Sequence, residues 1–284
     1  MRIHHHALRL AKADAQHHIG GLARRAGQGD QFGQCLRNLP VELREQPRAL
    51  LGLAKSRFSE EELRRAGCGR TVVLPVLADY GRVTAAPDPR VRAELAALRE
   101  GGSADFLFVG RIAPSKAQHE LVKALWAYRR LYDPKARLHL VGGTSSFEYT
   151  KALQDFVHDL GLSAAVRLPG EVSDAALAAY FADAEAYLSL SAHEGFGVPL
   201  VEAMVAGVPV VTRPAGAVSD TVADAALVLD AADPSYIAAA LHRVCTDERL
   251  RSTLRAAGTR RAAELSGDLA VRMVDAVATV VRRP

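Results

Sequence analysis

The chain has little of what would tie it to a membrane, a disulfide framework or a metal. Its three cysteines, Cys35, Cys68 and Cys245, are far apart and odd in number. They form no disulfide framework and no metal-type spacing, and a reducing cytoplasm is the expected compartment. No apolar run reaches the ~18 residues of a membrane-spanning helix. The N-terminus has no signal-peptide apolar stretch. The expected location is therefore cytoplasmic, and a peripheral contact at the inner face of a membrane stays compatible with it. The GxxxxGK[ST] spacing of a nucleotide P-loop is missing as well. His4, His5 and His6, joined by His17 and His18, have no carboxylate or cysteine at ligand spacing. They read as a solvated N-terminus, and neither a metal nor a cofactor is expected. Charge of one sign is also scarce: 36 Lys and Arg face 32 Asp and Glu, a net +4. That balance suits an anionic small ligand and gives no reason to expect nucleic acid.

What the sequence has is apolar residues, 49% of the total, enough for a substantial core. Residues 1–48 are the least regular and form a poorly defined segment. From residue 49 the pattern sharpens. Residues 50–56 and 71–77 read as buried strands, with a helix between them started by a capping box of Ser59 and Glu62 and stopped at Gly67. This βαβ unit, with a linker to residue 100, is the first recognisable piece. Residues 101–266 then alternate strictly. Strands are expected at 106–110, 137–143, 166–168, 187–190, in the 189–211 stretch and at 226–229. Helices are expected between them, with Ser145, Ser173 and Asp233 as caps. A last helix is expected over 268–281, so that residues 267–284 form a C-terminal helix. Such alternation predicts an α/β fold: a doubly wound parallel sheet, Rossmann-like, with ligands at the carboxyl ends of the strands.

That rim collects the unusual residues. Arg111 and Lys116 follow the first strand of the domain, and a guanidinium fork with a mobile ammonium suits a diphosphate. Residues 189–211, SLSAHEGFGVPLVEAMVAGVPVV, run strand, loop, helix, strand. Glu194 and Glu202 stand eight positions apart across the loop–helix junction. Gly195, Phe196 and Gly197 let backbone N–H groups approach a ligand, and the helix behind them offers its N-terminus to an anion. Two acceptors flanking a phosphate cradle describe a sugar, a diphosphate and a nucleoside in line.

Gly110-Arg111 through Lys116, the segment GRIAPSKAQHELV, and the Glu194-Gly-Phe-Gly-Val-Pro and Glu202-Ala-Met-Val-Ala-Gly-Val-Pro-Val-Val motifs together resemble the C-terminal, donor-binding domain of family-4 retaining glycosyltransferases of the GT-B fold. The resemblance covers roughly residues 50–284. It implies a GT-B-type chain with one complete Rossmann-like domain plus a remnant of a second. It implies transfer of a hexose from a nucleotide-diphosphate sugar, such as a UDP- or GDP-hexose, to a glycan, lipid or small-molecule hydroxyl with retention of configuration. Arg111, Lys116 and Glu194 would carry the catalysis. Gly110, Val172, Gly195, Phe196, Gly197, Val198 and Glu202 would join them in holding the donor, with Glu202 on the ribose and the Val172 backbone on the base. Ala117 departs from the glycine that many members have there. A full N-terminal domain of this fold needs roughly 150 residues before the linker, and about 90 precede it here. A nucleotide-sugar-binding module without transfer activity is the alternative expectation.

Overall fold

The computed structural model describes residues 51–76 and 78–267, together with 271, 273–275 and 278. The expectations for residues 1–48, including His4, His5, His6, His17, His18 and Cys35, lie outside the described residues, as does most of the helix expected over 268–281.

The chain begins with β1 (Gly52–Ala54), α1 (Arg57–Arg65) and β2 (Thr71–Val73), and the two strands pair in parallel as a small separate sheet. The cap of α1 is Ser56, not Ser59. Ser56 has extended backbone, and its side chain accepts from the Ser59 N–H at 3.0 Å. Ser59 therefore sits inside the first turn, where its spacing to Glu62 mimics a capping box. A four-residue helix, α2 (Gly81–Thr84), and α3 (Pro89–Leu98) lead into the main domain. The Asp88 carboxylate caps α3, whose first residue is Pro89.

The main domain contains β3 (Asp105–Val109), α4 (Gln118–Leu131), β4 (Arg137–Val141), α5 (Phe147–Asp159), β5 (Val166–Gly170) and α6 (Asp174–Asp183). It continues with β6 (Ala186–Ser189), α7 (Val198–Val205), β7 (Val210–Thr212), α8 (Val218–Val222), β8 (Ala226–Val228), α9 (Pro234–Thr246) and α10 (Glu248–Ser266). Ser173 and Asp233 cap α6 and α9 as their positions predict. The cap of α5 is Ser146, one residue past the expected Ser145, whose hydroxyl instead donates to the Ile112 carbonyl.

All six strands are parallel, in the order β5-β4-β3-β6-β7-β8. Strand residues alternate between two cores, as a sheet covered on both faces requires. Phe106 and Phe108 of β3 pack with Leu121, Leu125, Leu153 and Leu241 from α4, α5 and α9. Leu107 and Val109 pack with Phe181, Leu200, Met204 and Val218 from α6, α7 and α8. Burying each such side chain contributes about 1.5–3 kcal/mol, so both cores act as a rigid mount for the loops above them. The chain lays down β3, β4 and β5 in one direction, then crosses β3 to lay down β6. The strand order therefore reverses between β3 and β6, and a crevice opens above their carboxyl ends.

Candidate donor-binding site

The loop after β3 is fixed by Gln118, which is fully buried at the start of α4. Its amide donates to the Arg111 carbonyl at 2.8 Å, and its carbonyl oxygen accepts from the Ala113 N–H at 3.4 Å. Ile112 bonds to Gly143 in the loop after β4, and a Cβ added at Gly142 would lie 2.2 Å from the Gly110 carbonyl oxygen. Glycine is required there because two loops touch backbone to backbone. Ala117 takes the left-handed conformation (φ 49°, ψ 41°), which accounts for glycine being the residue best suited to this position.

The loop after β6 is held from several sides. Ala192 N–H donates to the Ser115 carbonyl at 2.9 Å, which joins this loop to the one after β3. Arg213 Nε donates to the Ser191 carbonyl, and Thr221 Oγ1 to the Phe196 carbonyl at 2.6 Å. The Phe196 ring is buried in the core under α7, so this residue can offer a ligand only its backbone. Gly197 is left-handed (φ 82°) and starts α7 without a side-chain cap. Pro199 has no N–H and the Leu200 N–H donates to the Gly197 carbonyl at 2.9 Å, so the N–H groups left to meet an anion here are those of Gly197 and Val198.

Lys116 and Glu194 meet across the crevice, Nζ to Oε1, at 2.7 Å. Both are largely buried, so neither charge is fully screened by water. Glu202 is 1% exposed and accepts from Arg82 Nε at 2.5 Å. The two carboxylates act on one neighbourhood. Tyr187 lies beneath them on β6, donating its hydroxyl to the Val109 carbonyl at 3.2 Å. Burial pushes its pKa well above the usual range, and the charges of Glu194 and Glu202 add to that push. Arg111 is exposed at the rim, and no described acidic residue pairs with it. Val172 is half-buried just past the carboxyl end of β5.

The structure thus brings together Gly110, Arg111, Lys116 and the 194–198 loop, with Glu202 one turn into α7. It changes the pairing expected among them. Lys116 is bonded to Glu194, and among the described residues Arg111 is the cation of its loop with no acidic partner. Three further residues reach the rim. Arg82 comes from α2. Lys55 comes from the end of β1, and its Nζ would lie 2.3 Å from a Cβ added at Gly195. The Glu171 carboxylate lies against Gly143 in the same manner. Arg82 and Lys55 precede the regular strand–helix pattern, and no motif marks either. Glu171 stands beside the expected Val172 but carried no spacing signal of its own. A cavity of about 570 Å³ lies elsewhere, between α3, α6 and β5, lined by Glu94, His139, Arg167 and Tyr180 among others. No rim residue lines it, so the candidate site is an open crevice and not this cavity.

Residues 94–261, more than half of the chain, match the family described as glycosyl transferases group 1. The chain belongs to that family. Among group 1 relatives, the D-inositol 3-phosphate glycosyltransferase of Salinispora arenicola is 33% identical over 215 residues, 71% of this chain and 48% of that protein. A GDP-mannose-dependent alpha-(1-6)-phosphatidylinositol monomannoside mannosyltransferase of Mycobacterium tuberculosis is 32% identical over 182 residues, 61% of this chain and 46% of that protein. The chain spans under half the length of the curated relatives it matches. Among solved structures, Anabaena Alr3699/HepE in complex with UDP-glucose superposes with a TM-score of 0.71 at 24% identity, covering 86% of this chain and 67% of that one. The sucrose-phosphate synthase of Thermosynechococcus elongatus gives 0.69 at 25% identity, covering 81% and 58%. These likenesses place the main domain in the GT-B fold. Among the described residues no helix is long and apolar enough to cross a membrane.

Proposed function

We propose that this group 1 chain binds a nucleotide-diphosphate sugar on the β3–β6 rim and transfers its hexose to an acceptor hydroxyl with retention of configuration. The observation that carries the reading is the Lys116–Glu194 pair, set at the reversal of strand order beside the uncapped start of α7. Donor phosphates accept from Arg111, from Lys116 and from the N–H groups of Gly197 and Val198 at the start of α7. Glu194 accepts from hexose hydroxyls, Glu202 from the ribose, and the Val172 backbone meets the base. When the bond between the anomeric carbon and the diphosphate oxygen breaks, negative charge grows on the leaving phosphate. Arg111 and Lys116 offset that charge where it develops. The donor phosphate takes the proton of the incoming hydroxyl, so neither glutamate acts as a nucleophile and no cofactor is needed. Relatives named for UDP-glucose complexes and for GDP-mannose support a UDP- or GDP-hexose donor. Relatives named for inositol phosphate and phosphatidylinositol mannoside support a polyol or lipid-headgroup acceptor.

A second reading, donor binding without transfer, is favoured by one observation. Every donor contact proposed above comes from the six-stranded domain alone. Incubating the purified chain with UDP- and GDP-sugars, with and without inositol phosphate, separates the two. Transfer or donor hydrolysis supports the enzyme. Donor binding with neither supports the module, and no binding of any nucleotide diphosphate contradicts both.

A further inference from the structure

The two oxygens of the Glu202 carboxylate are in different states. Oε1 accepts from Arg82, while Oε2 is buried and takes no hydrogen bond from the described residues. Arg82 reaches it from α2, which precedes the whole six-stranded domain and packs against its core through Val83. Tyr80, two residues earlier, has its own hydroxyl buried without a hydrogen-bond partner among the described residues. Burial raises the Tyr80 pKa, and the Glu202 charge adds to that effect. One short segment thus brings a guanidinium and a phenol to the most deeply buried carboxylate of the rim.

A buried carboxylate needs a counter-charge and donors for its lone pairs. Arg82 supplies the charge and one donor. Its guanidinium presents Nε from a rigid planar group, which sets the direction of that bond more narrowly than a flexible ammonium would. The contact raises the Arg82 pKa, with the hydrogen bond to Glu202 as the chief cause. What is left is a single acceptor, Oε2, in a fixed direction and short of a donor. A ligand hydroxyl fills that need, and with the Oε1 side occupied by Arg82 it is Oε2 that meets it.

We infer that Arg82 is a positioning residue for ligand recognition: it holds Glu202 so that Oε2 reads one ribose hydroxyl of the nucleotide. This rests on the rim being the donor site. The test is calorimetric titration of UDP, GDP and their 2′-deoxy and 3′-deoxy counterparts into the parent chain, Arg82→Ala and Arg82→Lys, with unfolding midpoints measured alongside. The parent is expected to lose about tenfold in affinity for one deoxy form and little for the other. Arg82→Ala should bind the ribonucleotide about tenfold more weakly and no longer distinguish the deoxy form. Arg82→Lys, which keeps the charge, should recover part of both and serves if the alanine variant does not fold. Equal or tighter binding by Arg82→Ala overturns the inference, because Arg82 would then only occupy the site. Equal weakening for ribose and deoxyribose forms overturns it too, since that marks a merely structural contact. A parent that binds no nucleotide diphosphate removes the donor-site reading itself, a different failure from a parent that binds and ignores Arg82.

Discussion

The main sheet carries ion pairs at both ends, and the two ends are built differently. At the amino end, Asp105 of β3 faces Arg137 of β4 in register. The guanidinium grips the carboxylate with two bonds, Nε at 2.7 Å and Nη2 at 2.8 Å, and His139 Nε2 stands 3.3 Å from the same carboxylate. All three residues are buried. At the carboxyl end, Lys116 touches Glu194 through one atom, and Arg82 touches Glu202 through one atom. The first arrangement saturates its carboxylate within the protein. The second leaves carboxylate oxygens and ammonium protons with capacity to spare. The difference lies in the carboxylates: the amino-end one is fully engaged, although Arg137 Nη1 and His139 Nδ1 beside it take no bond among the described residues, whereas the carboxyl-end ones keep acceptor capacity for a ligand.

The sharpest way to break this contrast is to remove one member at each end. Asp105→Ala leaves Arg137 buried without its counter-charge and should lower unfolding free energy by about 3–5 kcal/mol in urea denaturation. Nucleotide binding, measured below the unfolding transition, should stay as in the parent. At the rim the pattern should invert. Arg111→Ala and Glu194→Gln should each weaken nucleotide-sugar binding by about 1.5–3 kcal/mol, since each removes a charged hydrogen-bond partner. Arg111→Ala, at an exposed residue with no described acidic partner, should move unfolding free energy by less than ~1 kcal/mol, and Glu194→Gln by less than Asp105→Ala, because the Lys116–Glu194 pair keeps some exposure. Rim variants that unfold the protein while leaving binding intact would erase the distinction.

Acid titration sharpens the same contrast. Burial disfavours the charged form of Asp105, but the hydrogen bonds from His139 and Arg137 outweigh it, and the carboxyl titrates below its ordinary 3.8. Burial likewise opposes ionisation of Glu120, and its bonds to His119 and Lys123 win, bringing it from 4.5 to about 2. A carboxyl whose folded pKa is depressed contributes stability that is fully present above the unfolded value and is lost as pH falls through the folded one. Stability should therefore lose these two contributions below about pH 4.5, and Glu120→Gln should flatten the curve between pH 4.5 and 2. Equal slopes for parent and variant across that window would contradict the assignment.

The smallest expected effect concerns Ala117. Its left-handed backbone costs an L-residue about 1–2 kcal/mol, part of which glycine returns as unfolded-chain entropy. Ala117→Gly should stabilise the chain by about 0.5–1 kcal/mol in thermal or urea unfolding. A loss of stability would mean that the loop does not hold this conformation in solution.

The main domain was legible because its strands are short apolar runs separated by helices with local caps, and both signals sit within a few residues. Ser173 and Asp233 read correctly for that reason. Ser59 and Ser145 misled because each stands three residues before a glutamate, whereas the serines that do cap, Ser56 and Ser146, lack that spacing. Helices α2 and α8 span a turn or little more, too short for a periodic signal. At the site, the motif residues were visible as a group, but their bonding was not. That Lys116 pairs with Glu194, or that Arg82 crosses 120 positions to Glu202, depends on how the crevice folds.

Hydrogen–deuterium exchange with and without saturating UDP or GDP tests the central claim most directly, because it locates binding without presuming catalysis. Nucleotide should slow exchange in residues 110–117 and 192–202 and leave the amino ends of β3 and β4 unchanged. Protection confined to the cavity between α3, α6 and β5, or absent from both rim loops, would contradict the account.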